Sequence, residues 1–206
     1  MSRPEYELLA QLRAAAPAPA ATTLRLIQEE EAEGATAEAY QYFRDQTGRT
    51  DVPGIVKCFG INPPAVRQMI DMSSSLLFHD GFLNRRQKEL IATWVSHLNA
   101  CPYCLDSHGF FLLVHGGART ALDSLTAGDL AGADLTPAEE KLLAYAEKVN
   151  GASFRITRAD VDTLIALGWT EDQIAETVHV TAMMGLCNRV ANAFGLPSQN
   201  FLALTP

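Results

Sequence analysis

The chain has 206 residues, of which 48% are hydrophobic and 19% charged, and its formal net charge is −8 at pH 7. This composition predicts one globular domain and excludes both an acidic disordered tail and a highly charged coiled coil. The negative charge argues against binding to nucleic acid or to an anionic membrane, and no apolar run approaches the roughly 20 residues of a membrane-spanning helix. Four cysteines are too few for a disulfide scaffold, so we expect a reducing cytoplasmic location. No leucine-rich segment precedes the Ala/Pro stretch at residues 14–21, so we expect no secretory signal.

Residues 1–35 are predicted to form an N-terminal arm that lies over a single helical domain of residues 36–206. The arm begins with apolar residues at helical spacing and is interrupted by Pro17-Ala18-Pro19. It ends in the acidic run Glu29-Glu30-Glu31, which we interpret as a solvated face.

Helix punctuation recurs along the rest of the chain, and no sustained alternation of apolar and polar residues predicts a strand. The predicted helix starts are Thr36, Pro63, Asn84, Pro102, Thr136, Thr157 and Thr170. The predicted stops are at or near Gly48, Gly81, Gly116, Gly168 and Gly195. The fold class is therefore all-α. A weak similarity between residues 83–91 and 135–143 suggests a duplicated helical unit.

The helix that starts after Asn84 has the strongest pattern. Asn84 and Gln87 form a capping box, and an apolar stripe follows at i, i+4, i+8 spacing. Glu89 lies beside this stripe, where a partly buried carboxylate needs a partner. The neighbouring basic residues are expected to face water: Arg85, Arg86 and Lys88.

The segment after this helix carries a close pair of cysteines. Pro102 suits the first position of a new helix, with Cys101 as its cap and Cys104 in its first turn. Unpaired N–H groups and the helix dipole stabilise a thiolate there, so both sulfurs are candidate nucleophiles. His108 lies one turn beyond Cys104 on the same face, where it can take or return a proton.

Glu89 can reach His108 if the two helices pack as an antiparallel pair around the turn at Asn99-Ala100. A hydrogen bond between them, direct or through water, would orient the imidazole. Two other interpretations remain open. The cysteines can be buried structural thiols, or Cys101, Cys104 and His108 can bind zinc with Glu89 as a fourth ligand.

The spacing of these residues resembles a known active-site signature. The pattern is similar to the signature of the alkylhydroperoxidase D-like group in the carboxymuconolactone decarboxylase superfamily. It consists of Glu89, eleven residues, Cys101-Pro102-Tyr103-Cys104, three residues and His108. The similarity is strongest over about residues 52–117. Residues 188–196 also resemble the ending of the longer, peroxidase-related members.

The resemblance implies a helical homo-oligomer (dimer, trimer or hexamer) with thiol-dependent peroxidase activity. By this resemblance, Cys104 attacks the peroxide and becomes a sulfenic acid, and Cys101 resolves it to a Cys101–Cys104 disulfide. Glu89 and His108 form the proton relay. The implied partners are a peroxide substrate and an external reductant, either a dithiol protein or a lipoyl-type donor, with no bound cofactor or metal.

Two points qualify this assignment of roles. In redox motifs at helix starts the first cysteine is commonly the low-pKa nucleophile, which favours Cys101, whereas the position of His108 favours Cys104. In addition, Tyr103 stands where the enzyme that names the group has a histidine. Alternative functions are a dithiol-disulfide oxidoreductase, a redox sensor or a metal-binding helical oligomer. Cys58 and Cys187 are expected to be buried apolar residues.

Overall fold

The computed structural model describes residues 4–15 and 21–204, and within these ranges it contains helices and no strand. The α-helices are α1 (Pro4–Ala15), α2 (Gly34–Thr47), α3 (Gly54–Lys57), α4 (Pro63–Leu76), α5 (Arg85–Leu98), α6 (Pro102–Val114), α7 (Arg119–Thr126), α8 (Pro137–Ala152), α9 (Arg158–Ala166), α10 (Glu171–Phe194) and α11 (Phe201–Leu204). Short 3-10 turns occupy Glu29–Glu31 and Ser153–Arg155. The predicted all-α class is confirmed.

The predicted helix starts are formed by reciprocal side-chain and backbone hydrogen bonds. At α5, the Asn84 side chain accepts from the Gln87 backbone N–H and the Gln87 side chain accepts from Asn84, both at 2.9 Å. Equivalent capping boxes begin α8, α9 and α10. These boxes satisfy N–H groups that have no partner within the helix. The prediction of these four starts is confirmed.

Two predicted boundaries differ from the structure. Helix α2 begins at Gly34, because the Thr36 hydroxyl donates to the carbonyl of Gly60 (3.0 Å) and does not cap the helix. Helix α4 ends at Leu76, earlier than the predicted stop near Gly81. The backbone N–H groups of the next two residues both donate to the carbonyl of Ser73, which closes the last turn. Helices α3, α7 and α11 were not predicted from the sequence.

The N-terminal residues that are described lie against the body. Tyr6 and Leu9 of α1 are buried with Phe110, Phe111 and Phe201 in one apolar cluster. The predicted interruption at residues 17–19 lies outside the described residues. The division into an arm and a single domain stays a prediction.

The acidic run that follows is only partly a solvated face. Glu30 and Glu31 are exposed, as expected. Glu29 is half-buried, accepts from the backbone N–H of Val52 at 3.0 Å and pairs with Arg44 at 2.6 Å. The expectation of a solvated side chain is therefore wrong for Glu29, because backbone and cation partners far along the chain bind it.

The largest apolar cluster is built mainly from α5, α6, α8 and α10. Helices α5 and α6 make the most extensive contact, and they are antiparallel: Glu89 meets His108, while Arg85, one turn earlier, meets Phe111. The connection between them is a tight turn in which Ala100 has φ of 47°. This hairpin brings the Glu89 region and the cysteine segment together.

Among residues 4–15 and 21–204, no helix is long and apolar enough to span a membrane.

Candidate thiol site

The two cysteines lie at the start of α6, as predicted. Cys101 is the N-cap, and its sulfur accepts a hydrogen bond from the backbone N–H of Cys104 at 3.4 Å. Pro102 occupies the first helical position, where the missing N–H costs nothing. Both thiols are free and almost fully buried, with 1% of Cys101 and 3% of Cys104 exposed.

The two sulfurs differ in electrostatics. The neighbouring Cys104 thiol, together with backbone N–H groups, lowers the pKa of Cys101 despite its burial. The interaction with Cys101, followed by burial, raises the pKa of Cys104 well above its ordinary value. Of the two thiols, Cys101 therefore loses its proton more readily than Cys104.

His108 is held by a buried carboxylate on the neighbouring helix. Its Nδ1 lies 2.8 Å from Glu89 Oε2, and Glu89 is completely buried. Donation from Nδ1–H to the carboxylate leaves Nε2 as the acceptor nitrogen of the ring. The predicted meeting of Glu89 and His108 is thus present as a direct hydrogen bond.

The second oxygen of Glu89 pairs with Arg85, whose Nη2 lies 2.7 Å from Oε1. The Arg85 guanidinium lies over the rings of Phe78 and Phe111, 5.1 and 5.9 Å from their centroids. The prediction that Arg85 faces water is therefore wrong. It was based on the helical pattern of α5 alone, whereas its partners lie on α5 itself, α6 and the chain after α4.

The expectation of solvent exposure is also wrong for Lys88, which is completely buried. Its ammonium pairs with Glu176 of α10 at 2.7 Å and donates to the carbonyl of His79 at 3.0 Å. Arg86 is partly exposed and pairs with Glu139. Helix α5 therefore carries two buried cations, and one of them, Arg85, contacts the site through Glu89.

A cavity of about 110 Å³ adjoins the site and is bounded chiefly by apolar side chains. The described residues that line it include Cys104 and His108 but not Cys101 or Glu89. Met183, Met184 and Cys187 of α10 also line it, as do Tyr6 of α1 and Phe201 of α11. Cys104 is consequently the sulfur of the pair that shares a cavity with the imidazole.

Tyr103, which stands between the cysteines, also lines this cavity. It is buried, and its hydroxyl accepts a hydrogen bond from the backbone N–H of Ile55 at 3.3 Å. Tyr103 thereby contacts the segment that forms α3.

Asp106 of α6 binds the segment that forms α11. Its carboxylate is buried and accepts from the backbone N–H groups of Phe201 and Leu202, each at 3.0 Å. Since Phe201 lines the cavity, Asp106 positions part of the cavity wall.

The other two cysteines are buried, as expected. Burial raises the pKa of Cys58 and of Cys187 to about 12. Cys187 lies near enough to Cys101 and Cys104 to interact electrostatically with both. Within the described ranges, no group of three or more His, Cys, Asp or Glu side chains is arranged to hold a metal ion.

Asn188 is the site residue that sequence reasoning did not assign. It is completely buried on α10, where its side chain accepts from Asn99 at 2.9 Å and donates to Ser96 at 3.1 Å, and it contributes to the lowered pKa of Cys101. The only sequence signal was its position inside residues 188–196, the segment that resembles the ending of longer family members.

Comparison with known proteins finds a family match around this site. Residues 63–148 match the model of the Carboxymuconolactone decarboxylase family, and this segment contains Glu89, both cysteines of the pair and His108. A curated relative, "Uncharacterized protein 4 in cox locus" of Paracoccus denitrificans, is 46% identical over 35 residues. The match covers 17% of this chain and about a third (32%) of the length of that relative.

Solved structures extend the similarity over most of the chain. The alkylhydroperoxidase AhpD core of an uncharacterized peroxidase-related protein from Ralstonia eutropha JMP134 has a TM-score of 0.77 and 25% identity, over 89% of this chain and 96% of its own. An uncharacterized peroxidase-related protein from Silicibacter sp. TM1040 has a TM-score of 0.70 and 27% identity, over 80% of this chain and 86% of its own. The debrominase Bmp8 has a TM-score of 0.65 and 19% identity, over 84% of this chain and 90% of its own, and this similarity shows the fold alone.

The class of the protein follows from these findings. The chain has the all-α fold of the AhpD-core proteins, and the segment around its thiol site matches the model of the Carboxymuconolactone decarboxylase family. The resemblance stated from the sequence is confirmed.

Proposed function

We propose that this protein is a thiol-dependent peroxidase that reduces an organic hydroperoxide with the Cys101–Cys104 pair. The observation that carries the proposal is the shared cavity: Cys104 and His108 line it together, and Glu89 holds His108 by a 2.8 Å hydrogen bond. The peroxidase-related relatives support this activity at the level of the family.

In the first step, the Cys104 thiol gives its proton to Nε2 of His108, because Nδ1 is occupied by Glu89. The Cys104 sulfur attacks the peroxide and the O–O bond breaks. One oxygen stays on sulfur as a sulfenic acid, and the other leaves as an alcohol after it takes the proton from His108. Sulfur is oxidised and the peroxide is reduced by two electrons.

In the second step, the Cys101 thiolate attacks the sulfenic sulfur of Cys104. The S–S bond forms, and the hydroxyl group of the sulfenic acid leaves as water after it takes up one proton. The lowered pKa of Cys101 suits it to this role, since the thiolate is the reactive form. An external dithiol then reduces the disulfide. Because both sulfurs are buried, we propose a narrow donor such as a lipoyl-type arm in preference to a flat protein surface.

The proposal is tested by counting thiols in the reduced protein before and after one equivalent of cumene hydroperoxide, with mass spectrometry to locate new bonds. We expect a Cys101–Cys104 disulfide in the wild type and no thiol loss in Cys104→Ser. Cys101→Ser should accumulate a Cys104 sulfenic acid that dimedone traps. Cys58→Ala is the matched control, because Cys58 is buried but does not line the cavity.

Unchanged thiols in the wild type would exclude the peroxidase function and leave disulfide exchange, redox sensing or a structural role. A dimedone adduct on Cys101 in Cys104→Ser would instead reverse the order of the two cysteines. The homo-oligomeric state and the cytoplasmic location are proposed with this function.

A further inference from the structure

The cavity beside the thiol pair has a lining that suits an uncharged, apolar group. Most of the described side chains around it are apolar, and Arg49 is the one permanently charged side chain among them. Asp51 pairs with Arg49 at 2.8 Å. The cavity volume is about 110 Å³, and engineered apolar cavities of roughly 150 Å³ bind benzene. A ligand that fills this space therefore carries an alkyl or aryl group about the size of one ring.

One wall of the cavity comes from the C-terminal segment, residues 196–204. Gln199 and Phe201 line the cavity, and Phe201 is only 2% exposed. Two hydrogen bonds tie the segment to α6: the backbone N–H of Phe201 donates to Asp106 at 3.0 Å, and Gln199 Nε2 donates to Ser107 Oγ at 2.7 Å. Both acceptors lie on α6 between the thiol and the imidazole that line the cavity. The position of this wall is therefore fixed relative to the reacting groups.

The residue after Phe201 packs closely against α6. Leu202 lies at Gly109, where a Cβ would come within 2.9 Å of Leu202 Cδ1. The absence of a side chain at Gly109 thus lets α11 approach α6 closely. The Phe201 ring also packs against Phe110, with their centroids 5.8 Å apart. Because α6 contacts the segment at several points, the Phe201 ring cannot move away from the cavity without displacing α11.

We infer that the cavity accepts an uncharged hydroperoxide whose alkyl or aryl group is about the size of one ring, and that Phe201 sets this size limit. Phe201 lines the cavity together with Cys104 and His108, so a larger group on the reacting peroxide would overlap its ring. A fixed apolar wall discriminates by size, and even one methylene group changes rates by about 10- to 200-fold. The inference deepens the proposed function, because it names the substrate class of the same cavity.

The experiment measures alkylation of Cys104 in the reduced full-length protein, without peroxide. The reagents are iodoacetamide, N-phenyl iodoacetamide and N-(1-naphthyl) iodoacetamide, which share one reactive group and differ in size. Peptide mass spectrometry gives the rate at Cys104 for each reagent at a single pH, so the thiolate fraction cancels in the rate ratios of one protein. In the wild type we expect the naphthyl reagent to react at least about tenfold more slowly than the phenyl reagent.

Two variants shorten the side chain of Phe201 to different extents. We expect the naphthyl-to-phenyl rate ratio to rise about threefold in Phe201→Leu and about tenfold in Phe201→Ala. Leu143→Ala is the matched control, because Leu143 is equally buried, lies on α8 and does not line the cavity. Its ratio should stay within about twofold of the wild type, below the effect of one methylene group in a pocket.

An unchanged ratio in both Phe201 variants would overturn the inference. An equal increase of all three rates would also overturn it, because the C-terminal segment would then be opening as a whole, and so would a rise in Leu143→Ala that matches Phe201→Ala. A wild-type Cys104 that reacts with none of the reagents would show that the cavity admits no such group. Since no peroxide is present, a protein without peroxidase activity still reports the size limit, whereas the thiol count with cumene hydroperoxide tests the peroxidase function by itself.

Discussion

Glu89 combines complete burial with two strong partners. An unpaired carboxylate at this depth would cost several kcal/mol of desolvation, and the Arg85 guanidinium at 2.7 Å offsets that cost. The carboxylate can then accept from His108 without needing solvent. Arg85 therefore acts on the site indirectly, by keeping a charged acceptor in place behind the imidazole.

Replacing Glu89 by Gln should leave a hydrogen bond to His108 but remove the charge that supports a protonated imidazole. We expect the turnover of organic hydroperoxide to fall about 100-fold, within the range of general acid-base effects, with less than a twofold change in KM because Glu89 does not line the cavity. Steady-state kinetics with a dithiol donor measure both constants.

Two further variants control this experiment. Glu139→Gln removes a carboxylate that pairs with another arginine of α5, Arg86, and should leave turnover unchanged. The double variant Arg85→Met/Glu89→Gln removes the uncompensated buried cation and should recover stability but not turnover. If Glu89→Gln retained turnover within about threefold of the wild type, well below a general acid-base effect, the relay would be wrong.

At the scale of the elements, local signals were sufficient for the helix starts and insufficient for the long charged side chains. A capping box lies within one turn, so Asn84 with Gln87 could be recognised from neighbouring residues. Antiparallel packing after a short turn likewise predicted that Glu89 meets His108. Burial of Lys88 depends on Glu176 of another helix, and no local pattern encodes such a pair.

The same reasoning applies to Asp106, which looks like a first-turn helix residue and is a cap for α11. Asp106→Ala leaves the N–H groups of Phe201 and Leu202 without their acceptor. Burial raises the pKa of Asp106, so desolvation offsets part of the hydrogen-bond energy, and we expect a net loss of only about 1 kcal/mol in the free energy of unfolding. The local effect should be larger than the global one.

Hydrogen exchange measured by mass spectrometry tests this prediction for α11. Peptides covering residues 199–204 should exchange faster in Asp106→Ala, while peptides of α8 keep wild-type protection. Asp123→Ala is the control, because Asp123 is exposed and pairs only one helical turn away on α7. Unchanged exchange at the Phe201 and Leu202 amides would show that packing of Phe201 against Phe110 alone holds the element.

For the whole molecule, α5 is the helix on which the site and the core converge, with contacts to α6, α7, α8 and α10. Several large apolar side chains remain exposed on other parts of the described surface, among them Ile61, Phe82 and Phe154, at 78, 63 and 87%. The homo-oligomer implied by the family resemblance stays a prediction. The sequence could not indicate its contacts, since any apolar residue suits a core and an interface equally.

The buried ion pair of Lys88 and Glu176 ties α5 to α10 and to the segment between α4 and α5. Lys88 Nζ lies 2.7 Å from Glu176 Oε1, and the other carboxylate oxygen accepts from the backbone N–H of Leu83 at 2.6 Å. Removing one partner leaves the other as an uncompensated buried charge. Lys88→Met and Glu176→Gln should therefore each lower the free energy of unfolding by about 3 kcal/mol.

The double variant Lys88→Met/Glu176→Gln removes both charges, and the amide of Gln can still accept from Leu83. We expect its free energy of unfolding to fall by about 1 to 2 kcal/mol, less than in either single variant, because no charge is left buried without a partner. Urea unfolding of the four proteins closes a double-mutant cycle, and a coupling energy well above about 0.5 kcal/mol is the expected result. Additive single effects would mean that water or another group compensates each charge, and that this ion pair does not hold α5 and α10 together.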